Sequence, residues 1–201
     1  MRQTLIVMVK QPHAGRVKTR LGRDIGMVPA AWWFRHASRD LIRRLRDPRW
    51  HIVLSVTPDV AGMASRFWPG DLPRMAQGRG DIGVRMVRAL RAVPKGRACL
   101  VGADIPDVTR AHVARAFAGL GGHDIVFGPA EDGGFWLVGL QTGRAVPPGL
   151  FRDVRWSGPD TLTDAIASAG GARIGLVDRL RDVDRGADLA VRSNPRHSNC
   201  G

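Results

Sequence analysis

Residues 5–9, Leu5-Ile6-Val7-Met8-Val9, run directly into residues 10–22, Lys10-Gln11-Pro12-His13-Ala14-Gly15-Arg16-Val17-Lys18-Thr19-Arg20-Leu21-Gly22. Five apolar residues in succession leave no polar face for water. A strand built from them must be covered on both sides, the situation of a parallel sheet held between helices. Runs of the same kind recur at 52–56, 99–102, 125–128 and 135–140, each bounded by turn-forming residues. Between them the period changes. In 29–46, Ala30, Trp33, Phe34, Ala37, Leu41 and Leu45 recur at helical spacing, with Arg35, Arg39, Arg43 and Arg46 off the stripe. Ile82, Met86, Leu90 and Val93 repeat the spacing, as do Val113, Ala116, Phe117 and Leu120. A further helix is expected over 159–169, with Ser157 or Gly158 near its cap. This alternation predicts an α/β fold, a mostly parallel sheet with helices on both faces.

The 201 residues carry 31 Lys plus Arg against 18 Asp plus Glu, a net charge of +13, and 44% of them are apolar. A single domain over 1–192 is expected, followed by a polar, frayed tail at 193–201. No apolar run approaches the roughly 20 residues of a membrane-spanning helix, and Lys10 and Pro12 interrupt before any secretory leader develops. Cys99 and Cys200 are too few for a disulfide framework or a four-ligand metal site, so the chain reads as soluble and cytoplasmic. Its charge is uneven. Residues 1–100 carry +14 and residues 101–201 carry −1. A surplus centred on one loop fits a phosphorylated small molecule, whereas one spread along a helix fits nucleic acid.

Four segments can carry chemistry. Lys10, Arg16, Lys18 and Arg20 place four cations in the loop after the first strand, where an open α/β sheet has its ligand crevice. Gly15 lets the backbone approach a ligand, and together they form a phosphate cradle or, alternatively, a solvated basic loop. The loop is not a Walker A motif, because Val17 precedes Lys18-Thr19 where that motif has glycine. Asp104, just beyond the apolar run 99–102, is a ligand for Mg²⁺ or Mn²⁺ or else a cap for the helix that follows, a task for which Thr109 or Asp107 is better placed. Asp132-Gly133-Gly134 between two apolar runs is either a plain hairpin turn or a place where a ligand lies against bare backbone, with Asp132 bonded to an acceptor hydroxyl. Asp182 and Asp184 alternate on an extended segment and supply either a second metal carboxylate or a cap.

These segments stand in a recognisable order: Met8 to Leu21, then Gln77-Gly78-Arg79-Gly80-Asp81-Ile82-Gly83-Val84-Arg85-Met86, then Gly102-Ala103-Asp104-Ile105-Pro106, Asp132-Gly133-Gly134-Phe135, Trp156-Ser157 and Asp182-Val183-Asp184. Over residues 2–190 the chain resembles a bacterial family of the GT-A, or nucleotide-diphospho-sugar transferase, superfamily, known as glycosyltransferase-like or radical-SAM/selenodomain-associated transferases. It is more distantly similar to the molybdenum cofactor and phospholactate guanylyltransferases. The resemblance implies a three-layer α/β/α domain with a mostly parallel, mixed sheet. It implies that Gly15, Arg16, Lys18 and Arg20, with Lys10 beside them, wrap a nucleoside triphosphate, and that Gln77 and Gly80 read the base. It also implies that Asp104 and Asp184 hold Mg²⁺ or Mn²⁺, with Asp182 the alternative to Asp184. Ile105 and Arg185-Gly186 depart from the residues common in the family at those places.

The activity implied is metal-dependent nucleotidyl transfer to a small phosphorylated or hydroxyl acceptor, with Lys18, Asp104 and Asp132 as catalytic residues. Asp132, Gly133, Gly134 and Trp156 would contact the acceptor. Two alternatives stand beside it. One is glycosyl transfer from a nucleotide sugar. The other is a non-catalytic module binding nucleic acid through Trp32, Trp33, Arg35, Arg39, Arg43, Arg44 and Arg46, although Trp33 falls on the apolar stripe. No membrane partner is expected. There is no Gly-x-Ser-x-Gly elbow and no His pair at helical metal spacing, and Cys99 lies within an apolar run where a thiol is inert packing.

Overall fold

A computed structural model of the chain describes residues 2–143, 145–181, 183 and 185–192. The stretch that opened the reading forms β1 (Gln3–Lys10), whose central residues are buried on both faces. Around it the sheet also takes in β2 (His51–Thr57), β3 (Arg74–Ala76), β4 (Arg97–Gly102), β5 (Ile125–Pro129), β6 (Phe135–Gln141) and β7 (Ile174–Leu176). The spatial order is β3-β2-β1-β4-β6-β5-β7. Every pair is parallel except those of β6, which runs antiparallel to both β4 and β5. The mostly parallel, mixed sheet of the sequence reading is therefore present, and its one reversed strand follows from the hairpin at Asp132-Gly133-Gly134.

Period-2 alternation divides the buried strand residues between two cores. Leu5, Val7, Leu54, Cys99 and Val101 face one side, where they meet Phe34, Leu41 and Ile42 of α2 (Met27–Arg44) and Val113 and Phe117 of α5 (Arg110–Gly119). Ile6, Leu100, Phe127 and Val138 face the other, against Met86 and Leu90 of α4 (Ile82–Ala92), Ala165 of α6 (Thr161–Ala167) and the loop residues Leu150, Phe151 and Val154. Helices on both faces make the three layers. Among the described residues, no helix is long and apolar enough to cross a membrane.

Several elements escape the sequence reading. β3 and β7 are three residues each, too short to show a period. The basic loop ends in a separate helix, α1 (Thr19–Ile25), because Gly26 turns the chain with a φ of 96° before α2 begins. α3 (Asp59–Ala64) and α7 (Gly186–Arg192) are short, and α6 starts after Asp160 rather than beside Ser157 or Gly158. The buried stripe of α2 runs through Ala30, Ala31, Phe34, Ser38, Leu41 and Ile42; Trp33 packs at its edge, and Trp32 is exposed and stacked on His36. The residues from 193 onward lie outside the described ones.

Cys99 is fully buried, and burial pushes its thiol well above the ordinary range, as expected of a packing residue. It also fixes its neighbour. A Cβ on Gly139 of β6 would come within 2.8 Å of both Cys99 Sγ and Val126 Cγ2. Gly139→Ala is expected to destabilise the domain by about 1–3 kcal/mol through overpacking, measured as a lowered urea midpoint with an unchanged slope.

Candidate active site

β1 and β4 are neighbours although 86 residues separate the loops that follow them, and Met8 pairs with Gly102 in their register. Two residues further on, Lys10 and Asp104 therefore stand at the same height above the sheet. This is the point where strand order reverses, and in open α/β sheets ligands bind there, beyond the carboxyl ends of the strands. A cleft of about 660 Å³ opens at this position, within the range of small-molecule sites.

Its first wall is the loop after β1. Gln11 N donates to Thr57 O at 2.8 Å, His13 N to Gln11 O at 2.9 Å and Arg16 N to His13 O at 3.0 Å, which folds the loop back over the sheet. Lys18 then adopts a left-handed backbone, φ 45° and ψ 49°, at the start of α1. Such a conformation is unusual for a residue with a Cβ and marks a position held by its surroundings. The holding contact is visible. The Lys18 side chain is only 7% exposed, and its ammonium lies 3.2 Å from Asp104 Oδ2. Asp104 is 45% exposed along its side chain. Its alternative role as a helix cap falls to Thr109, whose hydroxyl accepts from His112 N while Thr109 N donates to His112 Nδ1. Gly102 lies beneath the carboxylate, and a Cβ there would come 2.7 Å from Asp104 Oδ1.

The cleft collects most of the residues proposed from sequence: Lys10, Arg16, Lys18, Arg20, Gln77, Asp104, Asp132, Gly134 and Trp156 all line it. Three glycines do not. Gly15 has a φ of 72°, which its turn requires, with open space around it. Gly80, at φ 114°, makes room for Val84 in the first turn of α4, and Gly133, at φ 88°, makes room for the backbone of Pro159. Gln77 is buried, and its amide nitrogen donates to Val9 O at 3.3 Å and Ser55 O at 2.9 Å, extending the ladder beyond β1 and β2. Both N–H groups are thus engaged. Asp182 and Asp184 lie outside the described residues. Between them Val183 is buried, and its N–H donates to Asp104 O at 3.4 Å.

The sequence reading assigned no role to Arg85, Met8 or Phe135, which also line the cleft. Arg85 shares the face of α4 with Ile82 and Met86, an i, i+3, i+4 set that was quoted as a motif but not read as a wall. Five cations, Lys10, Arg16, Lys18, Arg20 and Arg85, line the cleft against the carboxylates of Asp104 and Asp132. Such a surplus attracts anions.

As for a cation, the described residues hold no group of three His, Cys, Asp or Glu side chains. They do present one half-exposed carboxylate at a strand end, over a glycine and beside a basic loop. That donor set suits Mg²⁺ or Mn²⁺, which are held by one or two carboxylates together with substrate phosphates.

With this geometry in place, the comparisons are informative. Residues 41–158 match the model of the family described as "Uncharacterized protein conserved in bacteria (DUF2064)". The chain belongs to the DUF2064 family. A search of the curated proteins returns no match. Among solved structures, this DUF2064 chain resembles a protein from Desulfovibrio desulfuricans G20 provisionally assigned as a nucleotide-diphospho-sugar transferase, at 27% identity and a TM-score of 0.81, over 98% of this chain and 90% of the other. It also resembles a CMP:2-keto-3-deoxy-manno-octonic acid synthetase solved with CTP, at 12% identity and TM-score 0.60, over 96% of this chain and 98% of the other. A third is the 4-diphosphocytidyl-2C-methyl-D-erythritol synthase of Anaerococcus prevotii DSM 20548, at 8% identity and TM-score 0.59, over 94% of this chain and 95% of the other. At their low identities the last two show a shared fold, that of the nucleotide-diphospho-sugar transferases.

The loop carrying Trp156 is tied down by a carboxylate. Asp164 Oδ2 accepts from Arg155 N at 3.0 Å and from Arg155 Nε at 2.8 Å, and these bonds hold its carboxyl down at about 2. A carboxyl lowered on folding contributes fully above its ordinary range near pH 4 and loses its effect as the pH falls towards 2. Protection of the Arg155 amide, taken relative to its intrinsic exchange rate, should therefore persist down to about pH 3, and Asp164→Asn should lower it at neutral pH while β1 stays protected.

Proposed function

We propose that this DUF2064 protein is a nucleotidyltransferase, joining the nucleoside monophosphate part of a nucleoside triphosphate to a small acceptor with release of pyrophosphate. The observation that carries the reading is the Lys18–Asp104 contact at 3.2 Å within a cleft of surplus positive charge. A cation and a metal-binding carboxylate held together above the strand ends are what transfer at phosphorus demands, since the enzyme positions the groups and neutralises charge rather than forming covalent intermediates.

In this account Lys10, Arg16, Lys18 and Arg20 bind the triphosphate. An acceptor oxygen forms a bond to the α-phosphorus while the bond to the α,β-bridging oxygen breaks, and pyrophosphate leaves with that electron pair. Lys18, preset at the cleft wall, neutralises charge as it builds on the transferred phosphoryl group. An ionised phosphate acceptor has no proton to lose; a hydroxyl acceptor passes its proton to Asp132. Asp104, with Asp182 or Asp184 as second carboxylate, would hold Mg²⁺ or Mn²⁺, which when bound draws together phosphate oxygens and offsets their charge. Support for a second carboxylate is that Val183, the residue between Asp182 and Asp184 in sequence, donates its N–H to Asp104 O. Gln77, offering an acceptor atom, favours a base with an exocyclic amino group over uracil.

Glycosyl transfer from a nucleotide sugar uses the same cleft and differs in its product. The test is incubation with each nucleoside triphosphate, Mg²⁺ and a set of acceptor phosphates while following pyrophosphate. The expected result is pyrophosphate release with ATP, GTP or CTP exceeding that with UTP, lowered about 10²–10³-fold by Lys18→Met. Release of nucleoside diphosphate from a nucleotide sugar, with no pyrophosphate from any triphosphate, would be the contrary finding.

A further inference from the structure

One flank of the cleft differs from the phosphate loop. Ile82 and Met86 of α4, Met8 of β1 and Phe135 of β6 surround a partly buried Trp156, making an apolar pocket side. Trp156 is braced from behind. Its ring lies 5.9 Å from Phe151 and 6.4 Å from Phe135, and a Cβ on Gly83 would come 2.8 Å from Trp156 Cζ2. The supporting segment carries three of the left-handed non-glycine residues, Phe151 at φ 66°, Asp153 at φ 57° and Ser157 at φ 62°. Backbone of this kind persists where the surroundings impose it, commonly at ligand sites.

Arg85, on the same helix as Ile82 and Met86, lines this cleft as well. Arg85 is half-buried, and its Nε donates to Gly80 O at 2.8 Å, which fixes the plane of its guanidinium. Arg46, Arg49, Arg115, Arg155, Arg173 and Arg181 each face a carboxylate within 4 Å, but Arg85 has no ion pair among the described residues. A fixed guanidinium with free N–H groups in the same cleft as Phe135 and Trp156 matches a planar apolar body bearing an acidic group, because the fork binds phosphate or carboxylate and a ring face takes the rest.

We propose that Arg85, Trp156 and Phe135 form the acceptor subsite, and that the acceptor is an aromatic or heteroaromatic molecule carrying a phosphate or carboxylate. That this flank receives the acceptor rests on the nucleotidyl-transfer reading; the anion subsite itself does not.

The test is calorimetric. The protein is first saturated with inorganic tripolyphosphate and Mg²⁺ to fill the phosphate loop, then titrated with phenyl phosphate, phenol or glycerol 3-phosphate. Phenyl phosphate should bind about tenfold more tightly than either of the others. Arg85→Met should reduce it to the level of phenol, Arg85→Lys should restore part of the difference, and tripolyphosphate affinity should be unchanged in both variants. Equal binding of phenyl phosphate and glycerol 3-phosphate would overturn the aromatic subsite. A parallel loss of tripolyphosphate affinity in Arg85→Met would assign Arg85 to the triphosphate and overturn it too. If tripolyphosphate fails to bind while the phenyl phosphate pattern holds, the nucleotidyl reading falls and the subsite stands.

Discussion

Lys18 is an almost fully buried ammonium whose described ion-pair partner, Asp104, comes from the far side of the central strand pair. Burying an unpaired charge is costly, so the lysine depends on that carboxylate, and the carboxylate's position depends on β4 lying against β1 in register. Lys18 holds this contact from a left-handed backbone, a conformation that costs roughly 1–2 kcal/mol in an L-residue. This contact joins the end of the loop and the start of helix α1 to the end of β4, beside the backbone bonds that fold the loop over the sheet.

That contact also lies in the cleft. Lining it are the cations of the loop after β1 and, from elsewhere in the chain, the apolar residues Ile82, Met86 and Trp156 together with Arg85. The two groups come from different layers of the fold. α1 and α2 belong to one face of the sheet, while α4 and the segment around Phe151 belong to the other. A ligand bridging them lies across the strand ends, as two reacting molecules must if an acceptor oxygen is to reach a phosphorus.

Much of this was legible in the sequence, for physical reasons. Continuously apolar strands such as 5–9 announce burial on both faces, and a carboxylate just past such a strand, as at Asp104, has few structural reasons to be there. Where the reading failed, the signal was absent or ambiguous. A three-residue strand such as β3 has no period to detect. Glycines at 15, 80 and 133 each meet a local demand that spacing alone does not reveal: a left-handed turn, the Val84 side chain and the Pro159 backbone. Arg85 was one of 28 arginines. Only the three-dimensional arrangement shows that it is fastened to Gly80, lacks an ion pair among the described residues and lines the same cleft as Phe135 and Trp156. The Asp132-Gly133-Gly134 segment is the hairpin between β5 and β6, and it also brings Asp132 and Gly134 to the cleft.

The central claim is that Lys18 and Asp104 together receive a metal-bound nucleoside triphosphate. Its most direct test is calorimetric titration of ATP, GTP, CTP and UTP, with and without Mg²⁺, into the wild-type protein and the Lys18→Met and Asp104→Asn variants. The account predicts Mg²⁺-dependent binding of at least one triphosphate, weakened by Lys18→Met and made insensitive to Mg²⁺ by Asp104→Asn. Binding that is indifferent to both substitutions, or no binding of any triphosphate by the folded protein, would contradict it.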